Sequence, residues 1–111
     1  MNDERIAVHE GTSNIFADLD LPDADELLVK AATASRLIDL INGLGMTQAR
    51  VAEVLDIDQP KVSALLRGRL RGFSLERLLH FLLVLDQDVE IIVRPKVKDK
   101  PHLNVTLGDP R

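Results

Sequence analysis

A chain of 111 residues can bury one modest core and little more. Leu, Ile, Val and Ala must fill it, since there are three Phe and no Trp or Tyr, and the lack of Cys excludes disulfides, thiolate metal sites and thiol nucleophiles together. The net charge of −4 looks wrong for a polyanionic ligand until it is divided: residues 1–30 hold eight acids and two bases (−6), residues 31–88 balance at seven and seven, and residues 89–111 hold three acids and five bases (+2).

The first stretch, 1–13, is polar, and Gly11, Thr12, Ser13 and Asn14 read as a turn-forming lead. Ile15, Phe16, Leu19 and Leu21 form a short apolar cluster that packs back on the domain or awaits a partner. Pro22 and Asp23 open a long helix, with Asp23 and Glu26 as a capping-box-like pair. Leu27, Ala31, Ala34, Ile38 and Ile41 recur at spacings of four and three, which predicts one inward face. Asn42, Gly43 and Gly45 end that helix.

Residues 46–68, MTQARVAEVLDIDQPKVSALLRG, carry the most information. They predict two short amphipathic helices joined by a tight turn. Thr47 is the first N-cap, and Val51, Ala52 and Leu55 point inward. Ala52 supplies the small side chain that two closely crossing helices need. Asp56 sits where the turn calls for a left-handed residue, which Asp tolerates better than most. Ile57 turns inward. Asp58 caps the second helix, Pro60 fits its first turn, and Gly68 closes it. Val62, Leu65 and Leu66 face the core, leaving Gln59, Lys61, Ser63, Ala64 and Arg67 outside.

Arg69 to Phe73 form a basic loop between Gly68 and Gly72. Within 59–77, five bases (Lys61, Arg67, Arg69, Arg71, Arg77) face one acid, Glu76, giving +4. A local patch of this kind governs phosphate affinity more than the global sum. Ser74 caps a further helix, with Leu75, Leu78, Leu79, Leu82, Leu83 and Leu85 inside. The period then changes: Val89, Ile91 and Val93 alternate with Glu90, Ile92 and Arg94, a strand stopped by Pro95. A lone strand needs a partner. Either the same strand of a second subunit or the alternating stretch His102–Leu107 could supply it. The sequence shows no internal repeat. It divides into an acidic arm at 1–22, a helical domain at 23–88, and a C-terminal strand and tail at 89–111.

The pattern of Gln48, Val51, Ala52, Leu55, Ile57, Gln59, Val62, Leu65 and Gly68 resembles the Xre/Cro–C1 family of helix-turn-helix regulators, over roughly residues 24–86. Asp56 departs from the family, which most often has Gly there. The wider pattern, with NIFADLDLPDADELL in front and DVEIIVRP behind, looks like a branch of small bacterial regulators. Many of these are HigA-like antitoxins paired with a RelE/HigB-like ribonuclease toxin. The resemblance implies a mainly α, lambda-repressor-like DNA-binding domain, here with a short C-terminal β-strand. It implies double-stranded DNA as ligand and a homodimer, with the second helix in the major groove. Gln59, Lys61, Ser63 and Ala64 would then lie near bases. Gln48, Arg67, Arg69 and Arg71 would lie near phosphates. Val89, Ile91 and Val93 are the expected dimer junction. A toxin protein is the further partner the resemblance suggests.

No constellation for catalysis emerges, so a non-enzymatic protein without metal or cofactor is expected. His9, His80 and His102 lie far apart, and GRLRG lacks the Walker spacing. No apolar run is long enough to span a bilayer and no signal-peptide pattern is present, which predicts a cytoplasmic protein with no membrane partner.

Overall fold

The computed structural model describes residues 23–109, and the expected acidic arm with its apolar cluster lies outside the described residues. Four helices form within that range: α1 Asp23–Leu44, α2 Gln48–Leu55, α3 Gln59–Leu66 and α4 Leu75–Val84. The architecture is mainly α. α1 packs chiefly on α4 and α2 chiefly on α3, with further contacts of α1 to α3 and α2 to α4. The shared core includes Leu37 and Ile41 of α1, Val51 and Leu55 of α2, Val62 and Leu65 of α3, and Leu78 and Phe81 of α4.

The three short helices begin in the same way. Thr47, Asp58 and Ser74 are extended N-caps whose side-chain oxygens accept from the third helical amide, that of Arg50, Lys61 and Arg77, at 3.1, 3.0 and 3.1 Å. An apolar residue precedes each cap (Met46, Ile57, Phe73). Another stands at the fourth helical position (Val51, Val62, Leu78). All six belong to or pack on the one core, the arrangement of a hydrophobic staple. The segments MTQARV, IDQPKV and FSLERL therefore follow one plan: apolar, cap, two variable residues, base, apolar.

They also end alike. After α2, Ile57 N–H donates to Ala52 O at 3.0 Å and Asp56 N–H to Glu53 O at 3.3 Å. After α3, Arg69 N–H reaches Ala64 O at 2.9 Å and Gly68 N–H reaches Leu65 O at 2.9 Å. After α4, Gln87 N–H reaches Leu82 O at 2.9 Å and Asp86 N–H reaches Leu83 O at 3.1 Å. Each pair is a Schellman closure, which requires a left-handed residue at its centre. Asp56, Gly68 and Asp86 occupy that position with φ of 58°, 74° and 66°.

Two expected faces are corrected. In α1, Leu27 is 64 % exposed, and Ala31 is exposed too. Ala34 and Ile41 are buried as expected and Ile38 is half-buried, while Val29, Thr33 and Leu37 complete the inward face. Thr33 masks this face in the sequence because it is polar. It is nevertheless fully buried, its hydroxyl donating to Val29 O at 2.7 Å. In α4, Leu83 is exposed and Phe81 takes a core place. Nearly every residue of LERLLHFLLV is apolar, so the sequence offers no stripe to separate the two.

No strand forms among the described residues. The stretch Val89–Val93 makes no ladder within the chain: Val89 is half-buried against the core and the residues after it are exposed. Ile91, Ile92 and Val93 are 70 %, 64 % and 84 % exposed. His102–Leu107 is not its partner either. Leu103 N–H donates to the Asp25 carboxylate at 3.3 Å, and Arg36 Nη2 donates to Gly108 O at 2.6 Å. The tail thus lies along α1 in the same direction. Asp25 to Arg36 as helix and Leu103 to Gly108 as extended chain both span about 16 Å. Leu103 and Val105 are half-buried, while Asn104 and Thr106 face out.

The left-handed Asp56 gives a stability prediction. An L-residue carries roughly 1–2 kcal/mol of strain there, least for Asp and Asn and most for β-branched residues. Asp56→Gly should raise unfolding stability by up to about 1 kcal/mol, and Asp56→Val should lower it by about 2 kcal/mol. Urea titrations followed by circular dichroism check the order Gly, parent, Val. A Val variant as stable as the parent would remove the strain argument.

Candidate nucleic-acid interface

The α2–turn–α3 unit is fixed from both ends by local bonds. The Thr47 cap and the Val51 N–H to Thr47 O bond of 3.0 Å start α2. The Asp56 closure stops it and turns Ile57 onto the core. One residue later Asp58 caps α3, and Pro60, which lacks an N–H, sits in the first turn where none is needed. Val62 and Leu65 are fully buried, so the rotation of α3 about its axis is set by the core.

That rotation decides which side chains are offered outward. Gln48 and Gln59, each the first residue of its helix, are exposed. Gln59 also lines a shallow cleft between α2 and α3 together with Thr47, Arg50 and Asp58. Ser63 is half-buried. Ala64, expected outside, is half-buried against the core. Arg67, Arg69 and Arg71 are exposed. Their loop is pinned by Leu70, which packs on the core, and by the Phe73 N–H to Leu70 O bond of 3.0 Å. With Leu70 held inward, its neighbours Arg69 and Arg71 are thrown outward.

The charges are not uniform. The cleft between α2 and α3 carries Glu53, Asp56 and Asp58, and Arg50 is taken up by Glu53 at 3.1 Å. The arginines beyond the C-terminus of α3 form the basic end. Both α2 and α3 have no acid in their first turn, although the helix dipole favours one there. Instead Arg50, Lys61 and Arg77 stand at the third position of their helices, adding cationic charge to an already positive helix end. α4 keeps an acid in its first turn, Glu76, so α2 and α3 are the two helices whose start carries a base and no acid.

Aromatic rings hold two of these cations. Lys61 Nζ stands 5.6 Å from the Phe73 ring centroid, and Arg77 Cζ stands 5.9 Å from that of Phe81. The two rings meet edge to face at 6.0 Å and 76°. Neither ring was singled out by the sequence reading. An aromatic residue directly before the cap Ser74, with Leu78 at the fourth helical position, is the signal that could have found Phe73.

Among the described residues no group of three or more His, Asp or Glu is placed to hold a metal ion, and no helix is long and apolar enough to cross a membrane. The Val89, Ile91 and Val93 edge lies away from these groups in sequence and is not tied to them by any bond described above.

Comparison with known proteins agrees with this geometry. The model of a helix-turn-helix domain family matches residues 15–94. A solved structure described as an XRE family transcriptional regulator is 42 % identical, with a TM-score of 0.69, and the match covers 79 % of this chain and 99 % of that one. No curated protein matches the sequence.

Proposed function

Because this chain belongs to the helix-turn-helix domain family, of the XRE type, we propose that it is a sequence-specific transcriptional repressor that lays α3 in the DNA major groove. One observation carries this reading. α3 exposes Gln59 at its start, while Arg67, Arg69 and Arg71 stand exposed directly beyond its end. A helix entering the groove by its N-terminus would bring Gln59 to base edges, where its amide can bond adenine twice. Ser63 follows one turn later, and Ala64 offers only its small methyl. Gln48 and the three arginines would grip the flanking phosphates. The acids beside the cleft would keep phosphate off that edge and so help to fix the register.

The working unit is a homodimer. One helix exposes too few base-reading groups to specify a site, whereas two on a two-fold axis would read half-sites about 34 Å apart. The segment Val89–Val93, half-buried at Val89 and exposed beyond it, would pair with its symmetry mate, burying Ile91, Ile92 and Val93 and pairing the facing edge of each strand. A dimer seated on an operator that overlaps a promoter would exclude polymerase, which is the action of a repressor.

A second reading adds to the first. The eight acids against two bases in residues 1–30 suit a basic protein partner, such as the ribonuclease of a toxin–antitoxin pair. It requires a small basic ribonuclease encoded beside this gene. Removing residues 1–22 should abolish protection of cells expressing that ribonuclease and leave operator affinity within about threefold, since the phosphate contacts lie elsewhere. Unchanged protection would exclude the arm.

Two classes of variant separate grip from readout. Arg69→Ala or Arg71→Ala should weaken binding to all duplexes alike and flatten the salt dependence by about one unit per lost contact. Gln59→Ala should relax preference at one position per half-site, at a cost of roughly 1–3 kcal/mol. Selection from randomised duplexes, with anisotropy titrations at several salt concentrations, measures both. An identical sequence preference for Gln59→Ala and parent would take Gln59 out of the readout. For the dimer, Ile91→Pro removes a ladder donor and should produce monomers while keeping the helical circular dichroism spectrum. Light scattering decides it, and a dimer that survives would put the junction on another surface.

A further inference from the structure

We infer that Phe73 is a positioning residue for DNA binding, its ring holding the Lys61 ammonium in place on α3. The inference rests on the DNA-binding reading above and deepens it. Lys61 occupies the third position of α3, where the helix dipole repels a cation. Its backbone N–H is already committed to the Asp58 cap at 3.0 Å, so the backbone of this residue is fixed. The side chain is half-buried rather than free in solvent, and Nζ lies 5.6 Å from the Phe73 centroid. That is within the range where the negative face of a ring attracts an ammonium. The ring cannot turn away. Phe73 is 3 % exposed and is braced edge to face by Phe81, itself 1 % exposed.

The same residue also ends the basic loop, through its N–H to Leu70 O. One ring therefore ties the recognition-helix cation to the loop that carries Arg69 and Arg71. A long lysine side chain loses much of its rotamer freedom when it is fixed on a ligand. A lysine already resting on a ring has lost part of that freedom before DNA arrives. Lys61 and the loop arginines would then meet the duplex as one preset group.

The test replaces Phe73 site-specifically by pentafluorophenylalanine, which keeps the ring while reversing the charge of its face. Lys61→Met and the combined variant complete a double-mutant cycle, and Lys61→Arg serves as the conservative control. Two readouts are taken. In the free protein, carbon relaxation at the lysine ε-methylenes compares Lys61 with the exposed Lys96, Lys98 and Lys100. On the duplex selected from randomised DNA, anisotropy gives affinity. Lys61 should be more ordered than the tail lysines in the parent and equal to them after fluorination. Affinity should fall about fivefold on fluorination and about tenfold for Lys61→Met. Fluorination should cost nothing further in the Lys61→Met background, and Lys61→Arg should keep the dependence on the ring.

Multiplicative losses would show that Phe73 acts through the fold and not through Lys61, and would overturn the inference. Tighter binding on fluorination would overturn it too, since the ring would then be sequestering the ammonium. If Lys61 loses its order and affinity does not change, Lys61 makes no contact and the inference fails, while the Gln59 and arginine variants still judge the DNA-binding reading. If the parent binds no duplex at all, both fail, and the Lys61 order alone remains.

Discussion

A left-handed residue after each helix is the constraint on which the rest of the molecule depends. Gly45, Asp56, Gly68 and Asp86 are the residues of positive φ among those described, and all four stand at a helix end. At three of them a paired closure satisfies backbone carbonyls that would otherwise be orphaned, and it reverses the chain within two or three residues. Helices as short as α2 and α3 are marginal alone. They persist because both ends are closed locally and one face is buried. The outward angle of Gln59 and the splay of Arg69 and Arg71 follow from where the Asp56 and Gly68 closures put the next segment.

The α2–α3 unit was legible in the sequence for this reason. Its determinants are short-range: a hydroxyl or carboxylate cap, a left-handed Asp, an apolar residue before each cap. Such signals are read within six residues and need no knowledge of the partner. The capping residues Thr47, Asp58 and Ser74 and the left-handed Asp56 could all be named from the sequence. What could not be read depended on distant groups. The face of α1 was misplaced because Thr33 looks polar until its hydroxyl is seen bonding its own helix. Phe81 and Leu83 exchange roles because only the packing of α1 on α4 chooses between two apolar arcs. Alternation over Val89–Val93 states a preference for extended chain and says nothing of whether a neighbour is present. The ring beneath Lys61 was hidden for a related reason, since α3 and Phe73 are brought together by the turn of the basic loop.

Electrostatically the domain is a set of local oppositions rather than a charged body. Residues 31–88, which hold α2, α3, α4 and most of α1, are neutral by count, with seven acids and seven bases. Yet a base stands at the third position of α2, α3 and α4, and an acid or hydroxyl caps each of them one turn earlier. The carboxylate or hydroxyl satisfies the amides, and the base projects beyond. Such short-range dipoles retain much of their effect within a Debye length of about 10 Å at 0.1 M salt, while the overall negative charge is largely screened over the longer distance to a ligand. A negative protein can in this way present a positive edge.

The clasp between the tail and α1 bears on the order in which the molecule is made. Asp25 and Arg36 belong to α1, and Leu103 and Gly108 lie more than seventy positions further along the chain. During synthesis α1 emerges before the stretch that lies along it. The caps and closures of α2 and α3 need only local residues, whereas the face these helices bury waits for α4. Packing of α1 on α4 waits for Val84, and the outer flank of α1 waits longer still. At the usual 5–20 residues per second the delay is about several seconds. For that time α1 keeps an uncovered flank.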